Sequence, residues 1–328
     1  MWKLVPTDLL QLKGGNGERF VHLMDRLIRA EATCGGLAQS EIATQLRVNI
    51  RDGGVDTEVK QPIPRDSGGW FTVPTCWQFK AVEGKDVDDK RKKKKRNDLQ
   101  EEVHKPYAKQ LIEKGYGYRL CILGDLTPEK VQDWEVQLRD EASAINPNAP
   151  NPRVIHGGDL LPWAEQFPGV VIWLNDRAPG VFHWESWVAN RRAVTPRYVP
   201  NSGWDDVRLQ ILEHVQFRNP SVGGDPCLFI GGAAGVGKTR LVLECLAELE
   251  QSTALVVIVE DEQEARRIGT WLANDTRQFA ILVADECSPQ ARHFLNENLR
   301  GHASIGRTHG LGVGDGGPKT GRDLLGSG

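Results

Sequence analysis

The sequence predicts an α/β protein. We expect a mixed sheet with flanking helices in its first part and an incomplete, doubly wound parallel sheet in its second. Three patterns carry this prediction. A glycine-rich segment, residues 232–239, lies between a short apolar run and a run of helix-forming residues. Two more apolar runs, residues 254–259 and 279–284, follow at intervals that suit β-α-β connections. Strand-like and helix-like segments also alternate through residues 18–174.

The composition limits how these patterns are interpreted. The 328 residues leave room for two domains, and a formal net charge of −3 gives no global argument for nucleic-acid binding. The sequence has no run of about 18 apolar residues and no signal-peptide pattern, so we expect a cytoplasmic protein that does not bind a membrane. The six cysteines contain no Cys-x-x-Cys pair, which favours buried, reduced thiols over zinc ligands.

Residues 18–33 have the period of an amphipathic helix. Its apolar stripe consists of Phe20, Leu23, Met24, Leu27 and Ile28. Glu31 falls inside this stripe, about 20° from its first member on a helical wheel, whereas Glu18 falls on the opposite face. A carboxylate on a buried stripe needs a partner or a metal ion. The alternative is that Glu31 lies at the helix end and turns to solvent.

Polar side chains accompany the strand-like segments that follow. Residues 45–50 alternate like a half-buried strand, a glycine pair at 53 and 54 permits a sharp bend, and Asp56 opens the next strand. In the aromatic run 70–80, Gln78 and Lys80 share one side of a strand, opposite Trp77 and Phe79. An aspartate, a glutamine and a lysine in this order predict a site. The alternative is an exposed hairpin with incidental charges.

The sequence Gly-Gly-Val-Asp followed by Gln-x-Lys resembles the Mrr-like branch of the PD-(D/E)XK restriction-endonuclease fold. The resemblance implies that Asp56 and the Gln78 side-chain oxygen bind a catalytic Mg²⁺. It implies that Lys80 positions or helps deprotonate the attacking water and stabilises the developing phosphorane charge. Glu31 would correspond to the accessory acid on the first core helix of such folds, although its spacing from Asp56 is long.

A basic run, Lys90–Arg96, follows this segment. Such a run is often a solvated loop or helix face. Next to a nuclease strand it would instead contact the backbone of double-stranded DNA, in a salt-sensitive and sequence-independent way. A nuclear import signal fits poorly with the other features.

The glycine-rich segment 232–239 has the pattern of a P-loop. Gly232, Gly235 and Gly237 would let backbone N–H groups surround a phosphate, at a helix N-terminus. Lys238 would reach the β- and γ-phosphates, and the Thr239 hydroxyl would bind Mg²⁺. The alternative is an ordinary glycine-rich strand–helix turn. With lysine and threonine in place and both flanks correct, we favour a binding site for ATP or GTP.

A Walker B pattern supports the nucleotide site. The apolar run 279–284 ends in Asp285 and Glu286. Asp285 would hold Mg²⁺ through water, and Glu286 would orient or activate the attacking water. Many buried strands end in an acid, but this one lies at the expected distance after a P-loop, with one more apolar strand between them.

These patterns predict four regions. Residues 1–175 would form the nuclease-like domain, 176–205 a proline-containing linker, and 206–300 the first part of the NTPase. In residues 301–328, glycine accounts for ten of 28 positions and no apolar period survives, so we expect a disordered or frameshifted tail. The NTPase sheet would then end at an exposed edge, and hydrolysis would be slow or absent.

A nuclease, a linker and a P-loop in this order resemble bacterial STAND-type NTPases with an N-terminal effector nuclease. The resemblance implies antiphage defence and a homo-oligomer of the full-length protein. A different class of function also fits: a DNA- or partner-binding sensor whose nuclease fold does not cleave. A restriction enzyme with a translocating motor fits less well, because no motor motif follows Asp285 and Glu286.

Overall fold

A computed structural model shows that the chain is α/β, with two five-stranded sheets and helices around them. It describes residues 3–14, 17–46, 53–64, 66, 68–82, 98–175, 179–192, 202–215, 226–303 and 308–315. The chain divides into two compact units, Leu4–Ala164 and Glu165–Gly328, the latter together with Met1–Lys3. The strand expected over residues 45–50 lies largely outside the described residues.

In the first unit, the described elements are α1 (Pro6–Leu10), α2 (Glu18–Gly35), β1 (Ile42–Thr44), β2 (Thr57–Val59), β3 (Thr75–Lys80), α3 (Asp98–Val103), α4 (Pro106–Glu113), β4 (Gly117–Ile122), α5 (Pro128–Ile145), β5 (Arg153–Ile155) and α6 (Gly157–Ala164). The strands form a mixed sheet in the order β1-β2-β3-β4-β5. The pairs β1–β2 and β2–β3 are antiparallel, and β3–β4 and β4–β5 are parallel. This is the mixed sheet that the sequence predicts.

Helix α2 confirms the predicted amphipathic stripe, and all five stripe residues are buried. Its first part covers the central strands, with Phe20 against Phe79 at 6.3 Å between ring centroids and Met24 Sδ 3.5 Å from Cys121 Sγ. The other face of the sheet packs on an apolar cluster that includes Leu120 of β4 and residues of α4 and α5. Because both faces of the sheet are covered, every residue of β3 and β4 is buried except Lys80, which is half-buried.

In the second unit, the described elements are α7 (Pro168–Asn175), β6 (Val181–His183), α8 (Trp184–Arg192), α9 (Asp205–His214), β7 (Cys227–Gly232), α10 (Lys238–Glu248), β8 (Val256–Val259), α11 (Glu262–Ala273), β9 (Ala280–Ala284), α12 (Pro289–Ala303) and β10 (Thr308–Asp315). The sheet order is β6-β8-β9-β10-β7. Strands β8, β9, β10 and β7 are parallel, and β6 is an antiparallel edge. The step from β7 to β8 crosses the sheet and the later steps return, so right-handed connections put α10 and α11 on opposite faces.

The structure corrects the expected boundary and linker. Helix α7 belongs to the second unit, where it packs against β6 and β8, so the boundary lies eleven residues before the predicted residue 175. Within the expected linker 176–205, β6 pairs with β8 and α8 follows it directly. Val181 and Trp187 are buried, so these residues contribute to the fold of the second unit.

The expected disordered tail is also corrected over its described part. Strand β10 lies between the P-loop strand β7 and β9, and its Leu311 and Val313 are 1% and 2% exposed. A Cβ added at Gly312 would lie 2.2 Å from Phe229 Cδ1, and one at Gly310 would lie 2.6 Å from Cys227 Sγ. Neighbouring side chains fill the glycine face, so these glycines belong to a packed strand. Residues 316–328 lie outside the described residues.

All six cysteines are free and buried, as predicted. No helix among the described residues is long and apolar enough to cross a membrane.

Candidate functional site

Asp56 lies directly before β2, beside the end of β3. Its backbone N–H donates to Trp77 O at 2.8 Å, which continues the β2–β3 pairing by one residue. Its carboxylate Oδ2 accepts from Phe79 N at 2.6 Å and from Gln78 Nε2 at 3.0 Å. The fold therefore brings together two of the predicted site residues, Asp56 and Gln78, which are 22 positions apart in the sequence.

Gln78 has an amide oxygen without a hydrogen-bond partner. The residue is 4% exposed, and its Oε1 is buried and unpaired within the part of the chain that the structure describes. Its Nε2 must face Asp56, because a carboxylate can only accept. An unpaired buried oxygen costs about 1–3 kcal/mol. A cation bound between this oxygen and the Asp56 carboxylate would satisfy it, so these residues fit the Mg²⁺ that the resemblance implies.

Lys80 follows Gln78 on the same side of β3, and its amine is held by an acid that the sequence analysis did not single out. Lys80 Nζ donates to Glu102 Oε1 at 2.6 Å. Lys105 Nζ lies 2.6 Å from Glu102 Oε2, as an ion pair without hydrogen-bond geometry. One carboxylate therefore meets two ammonium groups. Glu102 is 22 residues beyond Lys80, and no short motif links the two positions.

The bend before Asp56 packs against the segment that carries this acid. Gly53 and Gly54 have φ values of 66° and 93°, which residues other than glycine rarely adopt. The N–H groups of Tyr107 and Ala108, at the start of α4, donate to Gly53 O at 3.2 Å each. A Cβ at Gly54 would lie 2.7 Å from Lys105 Cβ. This close packing fixes the chain before Asp56 relative to the α3–α4 segment.

Glu31 is placed differently from the predicted accessory acid. Its side chain is 3% exposed, so it does not turn to solvent, and its Oε2 accepts from Trp163 Nε1 at 2.8 Å. Gly17, at the other end of α2, lies against Ala81, the residue after Lys80. The fourteen intervening steps of helix correspond to roughly 21 Å. Glu31 is therefore at the far end of α2 from Lys80, where it lies beside Trp163.

Glu58 lies on β2, two residues after Asp56, and accepts hydrogen bonds from two tyrosines. Its carboxylate accepts from Tyr107 at 2.6 Å and from Tyr116 at 2.9 Å. The bond to Glu58 raises the pKa of Tyr107 to about 12, and burial together with the same carboxylate raises that of Tyr116 to about 12. The basic run Lys90–Arg96 lies outside the described residues, so its predicted DNA contact stays a prediction.

The P-loop pattern lies where a phosphate site requires it, between β7 and α10. Gly235 and Gly237 have φ values of 78° and 92°, and the N-terminus of α10 has no side-chain cap. Lys238 is 7% exposed, and its Nζ donates to Gly232 O at 2.7 Å and Ala233 O at 2.8 Å. A helix N-terminus that follows a glycine-rich turn and has no side-chain cap is suited to bind an anion.

Thr239 and Asp285 meet across the end of the sheet. Thr239 Oγ1 donates to Asp285 Oδ1 at 2.9 Å, which joins the P-loop to the Walker B strand. A hydroxyl and a carboxylate at this distance suit a Mg²⁺ ion that accompanies a nucleotide. Glu286 is exposed and has a φ of 53°, the one positive value of a residue other than glycine in the described chain. Such strain concentrates at functional sites.

Two residues that border these sites belong to no sequence motif. Glu102 is one, and its only sequence signal is a charged residue in a segment with helical character. Trp204 is the other: a Cβ at Gly237 would lie 3.6 Å from its indole ring, so this tryptophan borders the last glycine of the P-loop. Among the described residues, no group of three histidine, cysteine or acidic side chains is arranged to hold a metal. Both predicted metal sites therefore depend on one carboxylate with an amide or hydroxyl oxygen.

The similarity of the chain to known proteins is weak. No protein-family model and no curated protein sequence matches it. A solved structure, PCH-2 of C. elegans, is similar to part of the chain, with a TM-score of 0.28 and 13% sequence identity. The match covers 38% of this chain and 40% of that one, so the chain spans less than half of that protein's solved length. A likeness this weak carries no argument about activity.

Proposed function

We propose that this chain is a metal-dependent DNA endonuclease coupled to an ATP- or GTP-binding P-loop module of the STAND type, acting in the cytoplasm in defence against phage. The observation that carries the proposal is the bonded pair of Asp56 and Gln78, with the buried Gln78 Oε1 left unpaired within the described residues. Lys80 lies two positions further along the same strand. A carboxylate, an amide oxygen and an ammonium group together suit phosphodiester hydrolysis.

Each residue has a role in this proposal. Asp56 and Gln78 would hold Mg²⁺, which when bound supplies charge stabilisation and an acidified water. Lys80 would stabilise the negative charge that develops on the phosphate in the transition state. Glu31 has no role in this arrangement, because Trp163 binds its carboxylate at the far end of α2.

The nucleotide half of the proposal rests on the P-loop and on the Thr239–Asp285 bond at 2.9 Å. Strand β10 pairs with both β7 and β9, so the sheet that carries these residues is continuous between the P-loop and Asp285. Because β10 fills this position, the second sheet does not end at β9 as the sequence had indicated. We propose that the chain binds ATP or GTP with Mg²⁺, and that Glu286 acts on the attacking water.

The test of the nuclease is cleavage of supercoiled plasmid by the purified chain, with Mg²⁺ and with EDTA. We expect Mg²⁺-dependent nicking or linearisation that Lys80→Ala lowers by about 100-fold or more, because a charge that stabilises the transition state is removed. Lys109→Ala, which removes an exposed lysine of α4, is the matched control and should cleave normally. Equal cleavage by Lys80→Ala and the parent would reject the assignment.

The nucleotide site has a separate test. Binding of a fluorescent ATP or GTP analogue should need Mg²⁺ and should be lost in Lys238→Ala, because its amine is the phosphate-binding cation. Binding that survives this change would reject the P-loop as a nucleotide site.

The second candidate function is a DNA- or partner-binding sensor without cleavage activity. It is favoured by the ion pair between Lys80 and Glu102, in which the lysine amine already has an acid at 2.6 Å. A sensor would bind duplex DNA or a partner protein but leave plasmid intact at every Mg²⁺ concentration. Cleavage lost in Lys80→Ala would exclude it.

A further inference from the structure

Glu102 is the acid that the first unit places on Lys80. Its side chain is 13% exposed, and its carboxylate lies between two ammonium groups, each 2.6 Å away. The two lysines come from different parts of the fold, Lys80 from the end of β3 and Lys105 from the α3–α4 connection. An acid shared by two cations and largely removed from water is held more firmly than an exposed ion pair.

The segment from the end of α3 to the start of α4 also contacts the chain before Asp56. The start of α4 donates two hydrogen bonds to Gly53 O, and Lys105 Cβ packs against Gly54. Glu102 O is 3.0 Å from a Cβ added at Gly54, so the acid's own backbone is part of this contact. The segment from α3 to the start of α4 thus makes backbone contacts with the chain before Asp56, and its Glu102 carboxylate contacts Lys80.

We propose that Glu102 is a positioning residue of the nuclease site, which orients the Lys80 ammonium group toward the phosphate of a bound nucleic acid. A lysine side chain has many rotamers, and fixing its amine before the substrate arrives removes part of the cost of reaching the transition state. Gln78 is neutral, so it places no negative charge beside Lys80. Glu102 places one directly on the Lys80 amine.

The charges of Lys80, Lys105 and Glu102 also affect the binding of nucleic acid. Lys80 and Lys105 carry two positive charges and Glu102 one negative charge, so a backbone phosphate competes with the carboxylate for both amines. Removal of the Glu102 charge should therefore tighten binding while it disorders the amine that catalysis needs. A change that only destabilised the fold would weaken both.

This inference rests on the proposed nuclease function, and its test uses the full chain with Glu102→Gln, Glu102→Asp and the control Glu101→Gln. The control removes an equal charge from the exposed neighbouring residue of α3. We expect Glu102→Gln to lower kcat at least tenfold with KM unchanged or lower, and Glu102→Asp to restore part of the rate. Duplex DNA binding in EDTA, measured by fluorescence anisotropy, should be unchanged or tighter. Glu101→Gln should match the parent in each measurement.

Two further measurements separate a positioning role from a structural one. In the Lys80→Ala background, adding Glu102→Gln should cause no further loss of rate, because the acid acts through the lysine. Acetylation of Lys80 by an amine-specific reagent, quantified by peptide mass spectrometry, should be several-fold faster in Glu102→Gln, since the amine loses its partner.

These measurements test the nuclease function and the positioning role of Glu102 separately. Unchanged Lys80 acetylation, or an additive loss of rate in the double variant, would overturn the role of Glu102 even if the parent cleaves DNA. A parent that does not cleave DNA would overturn the nuclease and with it the positioning role in catalysis. Lys80 acetylation would then report only whether Glu102 holds the amine.

Discussion

Replacement of Gly312 by alanine should destabilise the second unit, because the glycine face of β10 is filled by its neighbours. The alanine Cβ would lie 2.2 Å from Cδ1 and 2.5 Å from Cε1 of Phe229, well inside van der Waals contact. The ring has little freedom to withdraw, since Phe229 is buried in β7 and the Arg292 guanidinium lies 5.6 Å from its centroid. Strand β10 is hydrogen-bonded on both sides, so it cannot move away without breaking one ladder.

The expected cost follows from this geometry. Overpacking of a filled core costs about 1–3 kcal/mol. With a urea m-value of about 2 kcal/mol per molar, a loss of about 2 kcal/mol lowers the midpoint by about 1 M. Gly301→Ala is the matched control: nothing lies within 4 Å of its added Cβ, and a helical alanine is favoured over glycine by up to about 1 kcal/mol.

The assay is urea unfolding, followed by circular dichroism, together with hydrogen exchange of peptides from β7 and β9. Gly312→Ala should unfold earlier and exchange faster in both neighbouring strands, whereas Gly301→Ala should be neutral or slightly stabilised. Combining Gly312→Ala with Phe229→Leu should recover part of the loss, since the smaller side chain makes room for the methyl group. If Gly312→Ala unfolds and exchanges like the parent, residues 308–315 are not a packed strand and the original expectation of a disordered tail stands.

Three other predictions address the first unit. Glu31→Leu should lower stability by about 1–3 kcal/mol in thermal unfolding, because it removes the buried acceptor of the α6 indole N–H, yet leave plasmid cleavage unchanged; a cleavage defect in a folded variant would return Glu31 to the site. Replacing Lys92–Lys95 with serine should weaken DNA binding and make its salt slope shallower by up to about 3.6, and an unchanged slope would mark the run as a solvated segment. Tyr107 and Tyr116 should ionise near pH 12 in an absorbance titration. The pKa values of both tyrosines in the folded state lie above the value of about 10 in the unfolded state. The stability that they contribute through Glu58 is therefore complete below pH 10 and is lost as the pH rises toward 12. Ionisation of both tyrosines near pH 10 would contradict their hydrogen bonds to Glu58.

Patterns that depend on near neighbours in the chain were predictable. The apolar stripe of α2 follows from a period of about 3.6 residues, and its five members are buried as expected. The P-loop turn and the Walker B strand follow from short motifs, and the structure joins them through Thr239 and Asp285. Asp56 and Gln78 belong to two separate short motifs, and their contact requires only that β2 and β3 pair in an antiparallel manner.

Features that depend on distant contacts were not predictable. Glycine has a low strand propensity, so the sequence of β10 resembles that of a loop. In the fold, Cys227 and Phe229 occupy the space that larger side chains at Gly310 and Gly312 would need. Glu31 is buried as its position on the helical wheel indicates, but only the fold shows that Trp163 binds it at the end of α2 remote from Lys80. Glu102 has no sequence pattern that links it to Lys80. The sequence alone therefore determined the fold class, the glycine-rich turn between a strand and a helix, and three residues of the candidate site, because local periodicity and short motifs carry that information. The tertiary structure decided which acid meets Lys80 and how the second sheet is completed, because both depend on side chains brought together from distant positions.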